Sequence, residues 1–130
     1  MIKRKISPTL KSTISFLEKA IKAVIDKNEK EIEFSIWKAS SELEYALFLF
    51  SLLNPHTESF SFRKTDLTLA RKEDELGPTL VVIQDLVREA EGFFEKGQFE
   101  KAYEKARIAR NQLLRLQGKL GKKKSPKKGT

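Results

Sequence analysis

The sequence contains no cysteine, a single histidine and a single methionine among its 130 residues. Without cysteine, the chain has no disulfide, no thiolate nucleophile and no cysteine-based zinc site. The only histidine, His56, follows Asn54 and Pro55, and a lone histidine in a loop is more often solvated than catalytic. Few asparagines beside abundant Lys, Glu and Arg form a bias that is typical of proteins from thermophiles.

Several recurrent catalytic and metal-binding patterns are also missing. The six glycines form no phosphate-binding loop, no serine lies in a nucleophile elbow, and no Glu-x-x-His pair could hold a di-iron centre. The acidic run Glu73–Glu75 lacks the spacing of a calcium loop. We therefore expect no enzymatic activity, no metal and no cofactor. A helical enzyme that uses Arg63 or His56 is the alternative.

Long hydrophobic runs are absent as well. The longest apolar run, Tyr45–Leu53, has nine residues including Ser51, whereas a membrane-spanning helix needs roughly 20. The basic start of the chain resembles the first part of a signal peptide, but Pro8 and Lys11 interrupt any hydrophobic region after it. We expect a cytoplasmic protein without membrane contact.

Helical periodicity dominates what is present. With 39% hydrophobic and 34% charged residues, the chain has the composition of a globular protein, and its length fits one domain. Apolar residues recur in steps of three and four along four segments, as in helices with one buried face. These segments predict an all-α fold with helices at about residues 8–27, 29–53, 78–96 and 98–120.

The connections between these segments predict the architecture. Helices one and two join around Asn28 and helices three and four around Gly97, and turns this short make the joined helices antiparallel neighbours. We expect two helical hairpins, packed as a four-helix bundle in a single domain over residues 1–120. A flexible basic tail is predicted for residues 121–130.

The segment at 55–77 has no single interpretation from the sequence. Phe60 and Phe62 alternate with serines and Leu67 and Leu69 with threonine, which favours a small β-hairpin. A short helix that begins at Thr65 fits equally well. A connection of this length suits a binding role, or it covers the bundle and fills a gap with its phenylalanines.

The second predicted hairpin resembles a single tetratricopeptide-repeat unit. In that family, a small residue and an aromatic on the first helix meet small residues on the second. Ala90 and Phe93 match the first pair here, and Ala102, Ala106 and Ala109 match the second set. The sequence departs from the pattern near Leu86, where the family has a large aromatic. Because repeat arrays need about three units, the resemblance implies hairpin geometry rather than a peptide-binding solenoid.

The helix pairs are also similar to those of HEPN-type helical domains, some of which are ribonucleases. The ribonuclease members carry an arginine four to six residues before a histidine. Residues 51–55, which precede His56, contain no arginine. The resemblance therefore implies helical pairing without ribonuclease activity.

Aromatic residues are concentrated on the second predicted helix. They are Phe34, Trp37, Tyr45, Phe48 and Phe50. Their helical spacing favours core packing over an aromatic platform for nucleic-acid bases. The stretch Tyr45–Phe50 is apolar nearly all round, which predicts burial on more than one side. Part of this surface is a candidate contact with a protein partner or a second copy.

Charge is the most unevenly distributed property of the chain, whose formal net charge is +8. Residues 1–12 hold four basic and no acidic side chains, and residues 13–100 hold 11 basic and 17 acidic ones. Residues 101–130 hold 11 basic side chains and only one acid, Glu104. A basic end on an acidic body is typical of proteins that bind phosphate backbones.

The sequence therefore predicts a non-enzymatic protein that contacts RNA or DNA phosphates without base specificity, because it contains no base-recognition motif. A small subunit of a ribonucleoprotein complex is one setting for such a protein. The alternative is a protein–protein interaction module or a helical subunit of a larger assembly. The predicted nucleic-acid-binding residues are Lys101, Lys105, Arg107, Arg110, Arg115, Lys119, Lys122, Lys123, Lys124, Lys127 and Lys128.

Overall fold

A computed structural model describes the backbone of residues 2–53 and 76–128, and the side chains of residues 4–53 and 76–120. All of these residues except the two hairpin turns are helical. The helices are α1 (Ile2–Asp26), α2 (Glu29–Leu53), α3 (Leu76–Glu95) and α4 (Phe99–Lys128). The predicted all-α bundle of two hairpins is confirmed. The hairpin or short helix predicted within 55–77 falls outside the described residues, apart from the start of α3.

The first helix begins at Ile2 rather than at Pro8, so the predicted start is wrong. Starting earlier places Ile6 in the core, where its side chain is fully buried. Pro8 lies inside the helix and, lacking an N–H, loses one backbone hydrogen bond near the helix start. The burial of Ile6 offsets that loss, because a fully buried aliphatic side chain contributes about 1.5–3 kcal/mol.

Two further boundaries differ from the prediction. Helix α3 begins at Leu76, and Gly77 and Pro78 lie in its first turn, where backbone N–H groups have no partner within the helix. Helix α4 does not end near Leu120 but continues to Lys128. Lysine is a good helix former, and the helix continues through the lysines after Leu120 although Gly121 and Pro126 disfavour it.

The first hairpin turn is closed by two backbone hydrogen bonds. The N–H of Asn28 donates to the carbonyl of Ala23 at 3.0 Å, and that of Lys27 donates to Val24 at 3.1 Å. This pattern requires a left-handed residue, and Lys27 has a φ of 57°. Asn28 also caps the next helix, because its Oδ1 accepts the N–H of Glu31 at 3.2 Å.

The second hairpin turn repeats this geometry with a glycine. The N–H of Gln98 donates to the carbonyl of Phe93 at 2.9 Å, and that of Gly97 donates to Phe94 at 3.0 Å. Gly97 has a φ of 81°, in the left-handed region that glycine adopts without a steric penalty. The N–H of Ala102 then donates to the Gln98 carbonyl, which starts α4. Both predicted turns are therefore tight, and both follow one hydrogen-bonding scheme.

Contacts between the hairpins establish the topology of the bundle. The Ser7 hydroxyl donates to Glu91 at 3.0 Å, and the Gln84 amide donates to the carbonyl of Ile14 at 3.2 Å, so α1 and α3 are antiparallel. An ion pair between Arg110 and Glu44 joins α4 to α2. Helices α1 and α3 are neighbours, as are α2 and α4. Helices α2 and α3 therefore run in the same direction, and residues 54–75 connect opposite ends of the bundle.

The core lies along the axis between the four helices. On α1, Leu10 and Leu17 are buried, whereas Ile14, Ile21 and Val24 are half-buried at the edge of the core. The buried apolar residues that recur at helical spacing on α3 and α4 are Leu80, Ile83, Val87, Ala90, Phe94, Ala102, Ala106, Ala109, Leu113 and Leu116. Among the described helices, none is long and apolar enough to cross a membrane. The buried apolar residues of α1 and α2 are Ile6, Leu10, Leu17, Ala20, Ala23, Ile32, Ile36, Ala39, Leu43, Ala46, Leu47, Leu49 and Phe50, and Thr13 is buried among them.

Candidate interaction surfaces

Two of the predicted phosphate-binding residues on α4 form ion pairs with neighbouring helices at the surface of the bundle. Lys105 lies 3.2 Å from a carboxylate oxygen of Glu89 on α3. Arg110 lies 3.3 Å from Glu44 on α2, and its Nε donates to the side chain of Asn111 at 3.0 Å. Acidic residues of the neighbouring helices therefore already compensate both charges.

The remaining described basic residues of α4 do not form one continuous surface. Arg107 is among the predicted nucleic-acid-binding residues, but only 4% of its surface is exposed. Arg115 and Lys119 are half-buried. Lys101 is exposed, and its Nζ lies 5.6 Å from the centroid of the Phe93 ring, which is cation–π geometry. The first two-thirds of α4 therefore offers fewer accessible cations than the sequence predicts.

The C-terminal end of α4 differs from the rest of the helix in its charge. After Glu104 the sequence contains no acidic residue, and the backbone remains helical to Lys128. The last turns of this helix therefore carry positive charge that no acidic residue nearby in the sequence offsets. Their predicted binding residues are Lys122, Lys123, Lys124, Lys127 and Lys128.

One carboxylate of α3, that of Glu95, has a raised pKa. The sequence places Glu91 and Glu95 one turn apart, and Lys11 of α1 lies 3.8 Å from Glu91 and 3.9 Å from Glu95. A side-chain hydrogen bond with Glu91 and repulsion from its charge raise the pKa of Glu95, although the positive charge of Lys11 opposes this. The arrangement connects α1 to α3 and does not resemble a metal site. No group of three or more potential metal ligands occurs within residues 4–53 and 76–120.

The most unusual surface of the described bundle is a stripe of large apolar side chains on the outside of α2. We call it the outer face of α2 and define it as Phe34, Trp37, Tyr45, Phe48 and Leu52. Each of these side chains is between 44% and 56% exposed. They recur at helical spacing, so they lie on one side of the helix, opposite the buried stripe.

The outer face corrects the interpretation of the aromatic residues. Core packing is confirmed for Phe50, which is 2% exposed, but is wrong for Phe34, Trp37, Tyr45 and Phe48. Within the Tyr45–Phe50 stretch, the expected second apolar side therefore faces outward. The sequence does contain a signal for it, because phenylalanines at 34 and 48 lie 14 residues apart, or two heptads, on the side opposite the core stripe.

A groove runs beside the outer face, between the first half of α2 and the second half of α4. Its volume is about 480 Å³. Lys38 lies at the opposite edge of the outer face, towards α1, with its Nζ 5.8 Å from the centroid of the Trp37 ring and 5.6 Å from that of the Phe16 ring. The groove is lined by Lys30, Glu33, Phe34, Ile36, Trp37, Gln117 and Leu120.

His56, Arg63 and Glu73–Glu75, which the sequence analysis considered for catalysis or cation binding, lie outside the described residues. Comparison with known proteins adds no assignment, because no protein-family model, curated protein or solved structure matches the chain. Two surfaces of the described molecule stand out as candidate contact sites. These are the basic end of α4 and the outer face of α2.

Proposed function

We propose that this chain is a non-enzymatic, nucleic-acid-associated protein that contacts RNA or DNA phosphates through the C-terminal end of α4. The observation that carries the proposal is the separation of charge along this helix. Acidic partners compensate Lys105 and Arg110, whereas no acidic residue follows Glu104 in the sequence and the helix continues to Lys128. The contact residues are Lys122, Lys123, Lys124, Lys127 and Lys128.

The proposed binding site covers a shorter part of α4 than the sequence predicts. Arg107 is buried, and Lys105 and Arg110 would have to leave their carboxylate partners to reach a phosphate. Binding through the whole length of α4 is therefore less favourable than binding through its end. Lys101 remains accessible, but it lies near the opposite end of the helix.

The chemistry of such a site is electrostatic and independent of base sequence. Each lysine that neutralises a phosphate releases condensed counterions, so the affinity falls steeply as the salt concentration rises. Backbone contacts of this kind position a protein on nucleic acid without reading bases. A small subunit of a ribonucleoprotein complex would use its basic end in this way.

A charge-matched pair of triple variants tests the proposal. Replacing Lys122, Lys123 and Lys124 with glutamine should weaken binding of fluorescently labelled RNA or DNA, measured by anisotropy. The salt slope should fall by up to about three, since each lost phosphate contact lowers it by about one.

The control replaces Lys19, Lys22 and Lys27 with glutamine. All three are exposed on or just after α1, so the control removes the same net charge from the other hairpin. Its affinity and salt slope should stay close to those of the unmodified protein. Equal losses in the two triple variants would mean that only net charge matters, and the assigned site would be wrong.

A second candidate function, protein–protein interaction, is supported by the outer face of α2. Soluble proteins rarely expose a contiguous row of large apolar side chains unless it is a contact surface. Hydrophobic association at this face should tolerate high salt and should not require residues 121–130. The two functions use different helices, so one chain can carry both.

A further inference from the structure

We propose that the outer face of α2 binds the same face of a second copy of this chain, with the two α2 helices antiparallel. The proposal rests on the second candidate function and names its partner. The two copies are related by a two-fold axis that passes beside Ser41, midway between Phe34 and Phe48 on the outer face.

The size and shape of the outer face support a helix as its occupant. The face extends from Phe34 to Leu52, which is roughly 27 Å along the axis at 1.5 Å per residue. All five of its side chains are about half exposed, although the buried stripe on the opposite side already fills the core. A straight apolar row of this length fits the apolar row of another helix.

The order of residues along the face makes it complementary to itself. Phe34 and Phe48 lie seven residues before and after Ser41, and Trp37 and Tyr45 lie four residues before and after it. When two such helices pair in opposite directions about Ser41, Phe34 lies level with Phe48 of the second copy. Trp37 likewise lies level with Tyr45 of the second copy. A two-fold contact requires this kind of self-complementary pattern.

The residue at the centre also suits close approach. Ser41 is exposed and is the only small residue within the row, so it leaves room for two backbones to meet between the aromatic pairs. Helices pack with their axes 8–10 Å apart when the side chains at the contact are small enough. A large residue at this position would hold the two copies apart.

Charges beside the face favour the antiparallel direction. Lys38 and Glu42 lie along the same edge of the row, four residues apart. Antiparallel pairing about Ser41 brings Lys38 of each copy close to Glu42 of the other, so opposite charges meet twice. Parallel pairing would place this edge of the two copies on opposite sides of the contact, so that Lys38 and Glu42 of the two copies would not meet.

The groove between α2 and α4 can accommodate a side chain of the second copy. Phe34 and Trp37 line its wall, and it has a volume of about 480 Å³. The antiparallel register places Phe48 of the second copy at the mouth of this groove. An aromatic side chain inserted in an apolar pocket is a typical energetic centre of a protein interface.

The available area indicates a dimer of moderate affinity. A large aromatic buries 150–250 Å² when fully enclosed, so five half-exposed side chains supply roughly 500 Å² per copy, at the low end for specific interfaces. We therefore expect a reversible dimer with a dissociation constant in the micromolar range. Sedimentation equilibrium should show a mass that rises with concentration from 14.9 kDa towards twice that value.

A matched pair of variants locates the contact. Phe48→Glu should raise the dimer dissociation constant at least about tenfold, because it places a charge in the apolar centre. Val81→Glu is the control, since Val81 is an exposed apolar residue of α3, diagonally across the bundle from α2. Circular dichroism should show that both variants stay helical. Equal weakening by both variants, or a full-length protein that stays monomeric at millimolar concentration, would overturn the proposal.

Cysteine cross-linking tests the register. The chain has no cysteine, so Ser41→Cys introduces a single thiol on the proposed axis, where two copies approach closely enough for a disulfide. Under mild oxidation it should form a covalent dimer rapidly. Ser15→Cys, at an exposed position of α1, should cross-link only slowly by collision. Equal rates would contradict the two-fold arrangement.

Tryptophan fluorescence distinguishes two ways in which the proposal can fail: the partner is not a second copy, or the outer face is not an interaction surface. Trp37 is the only tryptophan, so its quenching by acrylamide reports directly on the outer face. Quenching should decrease as the protein dimerises. A monomer with accessible Trp37 would overturn the second copy as partner but leave the face open to another protein. A monomer with shielded Trp37 would overturn the interaction surface as well, because residues of the same chain would then cover it.

Discussion

Phe48 and Phe50 lie two residues apart on α2, and their side chains have opposite surroundings. Phe50 is 2% exposed and forms edge-to-face contacts with Phe94 and Tyr103, with ring centroids 5.8 and 5.9 Å away. Phe48 is 56% exposed and lies on the outer face. The two positions therefore separate the contribution of core packing from that of the outer surface.

Replacing each phenylalanine with alanine should give very different stabilities. Phe50→Ala should lower the free energy of unfolding by about 3–5 kcal/mol, because it removes buried area and leaves a cavity. Phe48→Ala should change it by less than about 0.5 kcal/mol in dilute protein. Urea denaturation measures both values. A similar loss in both variants would show that the outer side of α2 is part of the core.

Glu95 introduces a pH dependence at the contact of α1 with α3. The hydrogen bond and repulsion from Glu91 raise its pKa above the ordinary value of 4.5, so the folded state holds this proton more firmly than the unfolded state does. The contribution of Glu95 to stability is therefore full below 4.5 and is lost as the pH rises through the raised pKa.

Glu95→Gln should remove this loss. In the variant, the urea midpoint should decline less between pH 4.5 and neutral pH than in the unmodified protein. Glu89→Gln, on the same helix but paired with Lys105, is the control and should retain the decline. An unchanged pH profile in Glu95→Gln would mean that the pair with Glu91 does not couple to folding.

At the scale of elements, the two hairpin turns share one geometry but differ in the residue at the left-handed position. Lys27 occupies it in the first turn and Gly97 in the second. A side chain with a β-carbon is strained there, by about 1–2 kcal/mol relative to glycine. No atom lies within 4 Å of a β-carbon built on Gly97, so any effect of substitution there arises from the backbone.

Exchanges at these positions should move stability in opposite directions. Lys27→Gly should raise the free energy of unfolding by about 0.5–1 kcal/mol, and Gly97→Ala should lower it by about 1 kcal/mol. Gly118→Ala, inside α4 with open space around it, should be stabilising because alanine is the better helix former. A destabilising Lys27→Gly would contradict the left-handed assignment of the first turn.

The sequence predicts the helices better than it predicts their ends. Periodicity identified all four helices, and the asparagine and glycine signals placed both turns within a residue or two. The predicted start of the first helix is wrong because of Pro8. A proline fits the first turn of a helix, but it also occurs inside a helix when other contacts offset the lost hydrogen bond, as the burial of Ile6 does here. The local sequence around Pro8 does not distinguish these two cases.

At the scale of the whole molecule, the sequence did not predict which side chains of different helices contact one another. The sequence of α4 predicts a basic helix, but Glu44 and Glu89 on two other helices form ion pairs with Arg110 and Lys105 and offset their charges. Likewise, α2 has two apolar sides, and only the packing of the bundle shows which side forms the core. Both interaction surfaces therefore depend on which helices are neighbours, which the short turns predicted only within each hairpin.

At the scale of the whole molecule, positive charge is concentrated at the C-terminal end of α4. The proposed nucleic-acid contact lies in residues 122–128. A chain that ends at Leu120 keeps every described side chain of the bundle but loses Lys122, Lys123, Lys124, Lys127 and Lys128. It should therefore remain folded and lose its affinity for phosphate backbones.

The most direct test is fluorescence anisotropy with labelled single- and double-stranded RNA and DNA, at about 50 and 200 mM salt, a range over which counterion release is large. The full chain and the chain that ends at Leu120 are compared. We predict that the full chain binds at least one of these nucleic acids, more weakly at the higher salt, and that the shortened chain does not. Equal binding by the two chains, or no binding by the full chain at the lower salt, would contradict the proposed function.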